Sequence, residues 1–193
     1  MSKDRTIIND WENLKLLHRN REDARASFIP YHDKASALTK QRGASKYFRL
    51  LNGMWDFCYY ERPVDVPEGF YSETYDIQDW DTMEVPAVWQ LHGYGKPNYT
   101  NVAYPYPVDP PYVPDDNPVG LYRRYFTIPD NWNEKQVSII FEGVSSAFNL
   151  WINGKFTGYS QGSHIPSEFN ITPYIHEGKN LIAVQVYQWC DGN

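Results

Sequence analysis

Apolar and polar residues alternate in several short segments of the chain, a pattern typical of half-buried β-strands. The first segment follows Asn52-Gly53, where the run MWDFCYY places an aromatic residue at every second position. Other segments rich in Val, Ile, Phe, Tyr and Trp are residues 121–128, 137–141, 147–152 and 181–189. Asn153-Gly154 stands between the runs FNLWI and KFTGYS, and it predicts a type I′ hairpin that joins them.

Helical spacing is absent from any segment longer than about ten residues. We therefore predict an all-β fold, a jelly-roll β-sandwich with antiparallel strands. Residues 1–45 lack the strand pattern, and Ser, Pro and Gly interrupt any long helix there. The prediction is an extended N-terminal arm over residues 1–45 and a jelly-roll domain over residues 46–193, with helix confined to the arm and to short turns.

Residues 93–118 form a long segment with seven prolines and five tyrosines and almost no strand pattern. A loop of more than about 12–15 residues without secondary structure is usually functional or disordered. Five tyrosines carry too much apolar surface to leave in water, so we expect an ordered loop that proline stiffens. Two interpretations stay open: the loop presents side chains to a ligand, or it packs against another domain or subunit.

The composition argues against nucleic-acid-binding, membrane-spanning and disulfide-rich secreted proteins. With 18 Lys and Arg against 24 Asp and Glu, the formal charge is −6, which gives no basic surface for nucleic acid. No apolar run approaches the roughly 20 residues of a membrane span. The first ten residues lack the apolar core of a secretory signal, and the two cysteines are too few for a disulfide framework. We expect a cytoplasmic protein with no membrane contact.

Catalytic motifs are also absent from the sequence. Five histidines and two cysteines show neither metal-ligand spacing nor a nucleophile motif. Acidic pairs such as Glu22-Asp23 and Asp115-Asp116 stand in polar, turn-like contexts, where a solvated surface charge is the expected role. Four tryptophans in strand contexts are expected in the core with their indole N–H groups bonded: Trp55, Trp89, Trp151 and Trp189.

Eight motifs nevertheless carry a resemblance that runs through almost the whole chain. They are DWEN (10–13), LNGMWDF (51–57), VPAVWQLHGY (85–94), YTNVAYP (99–105), NPVGLY (117–122), IFEGVSSAFNLW (140–151), GYSQGSHIPSEF (158–169) and WCDG (189–192). In this order they resemble the N-terminal sugar-binding domain of the large bacterial β-galactosidases of glycoside hydrolase family two. The fold that the resemblance implies is a galactose-binding-domain-like jelly roll.

In that family the jelly roll precedes an immunoglobulin-like domain, a TIM barrel with the catalytic glutamates, and later β domains. The resemblance therefore implies a non-catalytic fragment, cut short at Asn193, of a retaining hydrolase of terminal β-galactosides such as lactose. It also implies three partners: a galactoside substrate, the TIM barrel of the same chain, and further subunits of a homo-oligomer. The sodium ion and the catalytic magnesium of the family are expected only in the full-length enzyme.

Asn101, with Val102 beside it, is by resemblance the loop residue that reaches over the barrel mouth and contacts the galactosyl group. An amide both donates and accepts hydrogen bonds, which suits a sugar hydroxyl. On sequence alone the favoured interpretation of Asn101 is a turn residue, because Asn tolerates left-handed and Asx-turn geometry; with the resemblance, the substrate role is favoured.

A structural Mg²⁺ is the second site that the resemblance implies. The matching positions are Asp10, Asn13, the backbone carbonyl of Leu16, Gln161 and Asp191. Mg²⁺ prefers about six oxygen ligands, and this set supplies carboxylate, amide and main-chain oxygens. The spacing alone favours a different interpretation, with Asp10 as a helix cap and the others as polar turn residues.

Two further functions compete with the enzyme fragment. One is an independent carbohydrate-binding module, and the other is a domain whose arm and loop serve mainly to assemble an oligomer. A galactoside titration of the isolated domain distinguishes the first from a half-built pocket.

Overall fold

The computed structural model describes residues 9–98 and 104–192. Within these ranges the chain forms nine β-strands and a single α-helix. The strands are β1 (His18–Arg19), β2 (Gly53–Tyr60), β3 (Asp81–Val85), β4 (Val119–Ile128), β5 (Ser138–Phe141), β6 (Ala147–Ile152), β7 (Lys155–Gln161), β8 (Ser167–Asn170) and β9 (Gly178–Tyr187). The α-helix is α1 (Lys34–Leu38), and the 3₁₀ turns are Asp10–Glu12, Arg42–Ala44, Pro63–Asp65, Trp89–His92, Asp130–Trp132 and Thr172–Tyr174. No helix in this part of the chain has the length and apolar character that a bilayer crossing needs.

The strands form two antiparallel sheets. Seven of them pair in the order β1-β7-β6-β9-β4-β2-β3, and β5 pairs with β8 in a second, two-stranded sheet. The longest ladder joins β4 and β9 over ten residue pairs, from Val119 opposite Tyr187 to Ile128 opposite Gly178. This arrangement confirms the predicted all-β sandwich.

The large sheet is buried on both faces. On one face, Phe148 and Val184 pack in a cluster that includes Phe169 of the small sheet. On the other face, Leu121 and Tyr187 belong to a second cluster, against which residues of the arm and of segment 66–80 pack. β9 therefore has eight successive buried residues instead of an alternating pattern.

The hairpin between β6 and β7 has the predicted turn. Asn153 has φ +49° and Gly154 has φ +77°, as a type I′ turn requires at its two central residues. The Asn153 side chain also bonds to the neighbouring segment, donating to Tyr174 O and Asn180 Oδ1 at 2.9 and 2.7 Å and accepting from Leu181 N at 2.8 Å. This turn is fixed both by its backbone and by its side chain.

The other strand predictions are confirmed within a few residues at the ends, whereas β1, β3 and β8 were not predicted. Of the four tryptophans, Trp55, Trp89 and Trp151 are buried. Trp55 Nε1 donates to Leu51 O at 2.9 Å. Two details differ from the expectation: Trp89 Nε1 finds no acceptor among the described residues, and Trp189 is only half-buried.

The described part of the arm lies across the edge of the sandwich. β1 pairs with β7, with His18 opposite Ser160. Further on, Glu22 N donates to Glu168 O at 2.8 Å, and Arg25 pairs with the Glu168 carboxylate at 2.8 Å. The arm thus contacts one strand of each sheet before it forms α1.

Candidate functional site

The candidate site is a junction of three segments: the turn of the arm around Asp10–Glu12, the tail after β9, and the second half of the Tyr/Pro-rich loop. Arm and tail bond directly, because Asp191 N donates to Trp11 O at 2.9 Å. The Trp11 ring stacks on Tyr187 with centroids 4.1 Å apart. Gln161 N also donates to Leu17 O at 3.2 Å, which places the arm against the end of β7.

Gln161 and Asp191 lie side by side at this junction. Gln161 Nε2 donates to Asp191 Oδ1 at 2.7 Å, while Gln161 Oε1 accepts from the Tyr159 hydroxyl at 2.7 Å. The other carboxylate oxygen, Asp191 Oδ2, is buried and has no hydrogen-bond partner within residues 9–98 and 104–192. Burial raises the pKa of Asp191, and the hydrogen bonds from Gln161 and from the Asn13 backbone oppose that rise.

The three candidate metal ligands of the arm, Asp10, Asn13 and Leu16, differ in their contacts. The Asn13 backbone bonds to the Asp191 carboxylate, and Leu16 N donates to Asn13 O at 2.8 Å. Asp10, in contrast, is held by Arg19, whose Nε and Nη2 donate to its two carboxylate oxygens at 2.6 and 2.8 Å. The structure therefore brings Asn13, Gln161 and Asp191 into contact, links Leu16 to Asn13, and engages Asp10 in an ion pair.

These residues fit a small, hard cation in one respect: an orphaned, buried carboxylate oxygen is costly, and a cation would compensate it. A cavity of about 20 Å³ borders Asp191, but its other walls are loop residues such as Tyr104, Tyr106 and Tyr112 rather than the other four positions. Among the described residues there is no group of three or more His, Cys, Asp and Glu, so amide and main-chain oxygens would have to complete the ligand set.

Asn101 and Val102 lie outside the described residues, but both flanks of their loop are anchored. On one side, the Tyr94 hydroxyl donates to Asp81 Oδ2 at 2.6 Å, and this bond to a carboxylate raises the pKa of Tyr94 to about 12. On the other side, the Tyr106 hydroxyl donates to Cys190 O at 3.5 Å, and its ring meets Trp189 edge to face at 5.4 Å. The loop is thus tied to β3 and to the tail.

Glu12 is the residue of this junction that sequence reasoning did not single out. Its side chain is buried, with 5 % of the residue exposed. Glu12 Oε1 accepts from Val113 N at 3.1 Å, and Oε2 accepts from Asn9 Nδ2 at 3.0 Å. No local signal could have found the first bond, because its two partners are 101 residues apart in the chain.

Known proteins match the chain at the level of family and fold. Residues 48–193 match the family model described as "Glycosyl hydrolases family 2, sugar binding domain". A β-galactosidase of Psychromonas ingrahamii is 44 % identical over 184 residues, 95 % of this chain and 18 % of that protein. A β-galactosidase of Alteromonas mediterranea is 44 % identical, and the match covers 96 % of this chain and 18 % of that protein. A β-galactosidase of Yersinia pestis is 46 % identical, and the match covers 95 % of this chain and 17 % of that protein.

Solved structures share the fold. Bacteroides uniformis β-glucuronidase 2 superposes with a TM-score of 0.54 at 24 % identity, over 72 % of this chain and 14 % of that one. A β-glycosidase from Bacteroides vulgatus superposes with a TM-score of 0.51 at 30 % identity, over 70 % of this chain and 16 % of that one. The chain spans less than a fifth of the length of the curated relatives named above. Since the family model covers well over half of it, the chain belongs to glycosyl hydrolase family 2, in which it corresponds to the sugar binding domain.

Proposed function

We propose that the chain is the non-catalytic N-terminal part of a retaining β-galactosidase that hydrolyses terminal β-D-galactosides such as lactose. The observation that carries this proposal is the 44–46 % identity to β-galactosidases across 95–96 % of the chain. Retaining hydrolysis needs two carboxyl groups about 5–5.5 Å apart across the scissile bond. Those groups belong to the rest of the enzyme, and this domain supplies one wall of the galactose pocket.

The Tyr/Pro-rich loop is the part of that wall that contacts substrate. Asn101 bonds a galactosyl hydroxyl, and Val102 packs beside it. Two observations support this role: Tyr94 and Tyr106 anchor the loop on both sides of Asn101, and proline limits its backbone freedom. An anchored loop binds a ligand with a smaller loss of conformational entropy.

Replacing Asn101 in the complete enzyme tests this role. Losing one hydrogen bond to an uncharged hydroxyl costs about 0.5–1.5 kcal/mol, so Asn101→Ala should lower kcat/KM for nitrophenyl β-galactoside by about two- to tenfold. Asn98→Ala, which removes an exposed amide of the same loop, is the matched control and should keep the parent value. Equal kinetics of Asn101→Ala and the parent would remove Asn101 from the pocket.

At the arm–tail junction we place a structural Mg²⁺, held by Asn13, the Leu16 carbonyl, Gln161 and Asp191, with Asp10 as a further ligand. When bound, the ion supplies positive charge that offsets the buried carboxylate of Asp191. The orphaned, buried Asp191 Oδ2 supports the assignment. Binding by Asp10 would require its carboxylate to leave Arg19 at least in part.

Subunit contacts are the third proposed role. The arm carries large apolar side chains that are more than half exposed: Leu14, Leu17, Phe28 and Leu38. Such residues are candidates for burial against another domain or a second copy. If instead the domain is an independent carbohydrate-binding module, the isolated chain will bind galactose saturably in a calorimetric titration, whereas one wall of a divided pocket will not.

A further inference from the structure

A cavity of about 270 Å³ lies where the arm crosses the end of β7. Its wall combines side chains of the arm with residues of the turn between β7 and β8, among them Leu17, Arg21, Gln161, Ser163 and Ile165. An engineered cavity of about 150 Å³ holds benzene, so this one has room for a small organic molecule. No role proposed above fills it.

Arg21 has the only charged side chain among the described residues that line the cavity. Its Nη1 donates to Ser160 Oγ at 2.9 Å and to Gln161 O at 3.5 Å, which holds the guanidinium against β7. Within residues 9–98 and 104–192, Nε and Nη2 of Arg21 have no hydrogen-bond acceptor. One edge of the guanidinium is therefore fixed, and the edge formed by Nε and Nη2 is available to a ligand.

The other arginines of the described part of the arm show what such an edge binds. Each of the other three has a carboxylate partner: Arg19 pairs with Asp10, Arg25 with Glu168 and Arg42 with Glu142. Arg19 uses Nε and Nη2, at 2.6 and 2.8 Å, the same two atoms that Arg21 leaves open. Because the planar guanidinium matches the two oxygens of a carboxylate, a carboxylate is the group that completes Arg21.

The surroundings of Arg21 describe the rest of the ligand. The Ser163 hydroxyl, which donates to Ser145 Oγ at 3.2 Å, can rotate and donate to a carboxylate oxygen instead. Leu17 and Ile165 line the same cavity and are 58 % and 49 % exposed, so an apolar group placed against them would remove apolar surface from water. The ligand that fits is a carboxylate with a small apolar body.

We propose that this cavity is a carboxylate-binding site, in which Nε and Nη2 of Arg21 donate to the two oxygens of a carboxylate that carries a small apolar group. A free organic acid and an acidic side chain from another part of the complete enzyme offer the same chemistry. Binding of a free acid to the 193-residue chain does not depend on the proposed function.

Benzoate is a suitable probe, because at neutral pH it is an ionised carboxylate on a small apolar ring. Added to the 193-residue chain at constant ionic strength, it should shift the backbone amide resonances of Gly162 and Ser163 saturably. The amides of β3, at the opposite border of the large sheet, should not shift. Benzamide has nearly the same size but no charge, and it should bind about tenfold or more weakly, because bonds to a charged group are the stronger ones.

Arg21→Ala should raise the dissociation constant of benzoate by about tenfold or more. Arg49→Ala is the matched control and should keep the parent value, because Arg49 is an exposed arginine that donates to Phe48 O at 3.1 Å and does not line the cavity. If Arg21→Ala fails to fold, Arg21→Gln, which keeps an amide donor but no charge, should show the same loss of affinity.

Three results would overturn the proposal. The first is a parent chain whose resonances do not shift saturably with benzoate. The second is benzamide binding as tightly as benzoate, and the third is an Arg21→Ala chain that binds benzoate like the parent.

The complete enzyme distinguishes the two sources of the carboxylate. If the ligand is a free acid, benzoate should bind the complete enzyme with a dissociation constant similar to that of the chain in a calorimetric titration. If an acidic side chain of the enzyme fills the cavity, benzoate should no longer bind, and Arg21→Ala should lower the melting temperature more in the complete enzyme than in the chain. Loss of benzoate binding without this larger effect would mean that no carboxylate reaches Arg21, and would overturn the proposal. Parent kinetics of Asn101→Ala would contradict the proposed function but would leave the benzoate result for the chain unchanged.

Discussion

Asp191 has two carboxylate oxygens in different surroundings. Oδ1 accepts from Gln161, whereas Oδ2 is buried with no hydrogen-bond partner in the part of the chain that the structure describes. The net effect of burial is to raise the pKa of Asp191, because the charged form loses its hydration. At the proposed site, a bound cation would reverse that balance, so Asp191 would cost stability without the metal and contribute to it with the metal.

Mg²⁺ should therefore raise the melting temperature of the parent chain. A ligand at about a hundredfold excess over Kd stabilises the native state by about 2.7 kcal/mol, which corresponds to a shift of about 5–10 °C in a domain of this size. Asp191→Asn should lose most of this shift. Asp79→Asn removes an exposed carboxylate and should keep it. Calorimetric scans with and without Mg²⁺ measure these melting temperatures. If Mg²⁺ raised the melting temperature of Asp191→Asn as much as that of the parent, the proposed Mg²⁺ site would be contradicted.

The five metal positions were predicted from the family resemblance and not from the chemistry or spacing of the residues. The five metal positions come from three distant segments, so spacing could not group them, and only the family motifs named them. The contacts of Gln161, Asp191 and Asn13 agree with that grouping without testing it. The ion pair of Asp10 could not be predicted, because it depends on the path that takes Arg19 into β1. Glu12 was missed for the same reason: its partner is distant in sequence.

At the scale of elements, the β6–β7 hairpin depends on one asparagine. Asn153 has φ +49° and makes three side-chain hydrogen bonds. Asn153→Ala should lower the free energy of unfolding by about 2–3 kcal/mol, since it loses these bonds and strains the backbone.

Asn153→Gly separates the two causes, because glycine adopts positive φ freely and loses only the bonds. In urea unfolding, the free energy of unfolding of Asn153→Gly should lie between those of Asn153→Ala and the parent. If both variants unfold at the same urea concentration as the parent, Asn153 does not contribute to the stability of the hairpin as predicted.

β4 depends on a close approach of aromatic rings. A Cβ atom at Gly120 would lie 2.5 Å from Trp89 Cζ3 and 3.0 Å from Phe57 Cε2. Gly120→Ala should therefore cost about 1–3 kcal/mol of unfolding free energy through overpacking. Gly43→Ala is the control, since a Cβ there meets nothing within 4 Å, and its effect should stay within about 0.5 kcal/mol. Equal urea midpoints for the two variants would show that Trp89 moves aside at no cost.

Element prediction succeeded where burial imposes a pattern. β2 and the β6–β7 pair carry alternating or aromatic-rich runs and a turn of strict chemistry, so their positions follow from the sequence. β3, with the sequence DTMEV, has only one buried side chain, and the four-residue β8 is too short to show a period. β1 exists only because the arm meets β7. These three are fixed by tertiary contacts.

For the whole molecule, burial of the large sheet on both faces leaves loops and edges as the surfaces that neighbouring domains can reach. Under the proposed function, the catalytic carboxylate pair belongs to the rest of a β-galactosidase and not to this domain. The purified 193-residue chain should accordingly release no nitrophenol from nitrophenyl β-galactoside above the rate of a buffer blank. Turnover that scales with chain concentration and survives further purification would contradict the proposed division of roles.

The two borders of the large sheet are closed in different ways. The strand β1 of the arm occupies the free side of β7, while β3 presents the charged side chains of Asp81 and Glu84 at the opposite border. Unpaired strand borders are templates on which foreign strands assemble, and natural proteins protect them by covering or by charge. A chain shortened past Arg19 would uncover the hydrogen-bonding groups of β7 opposite His18 and Arg19, so such shortened forms should be the ones that form aggregates with cross-β character.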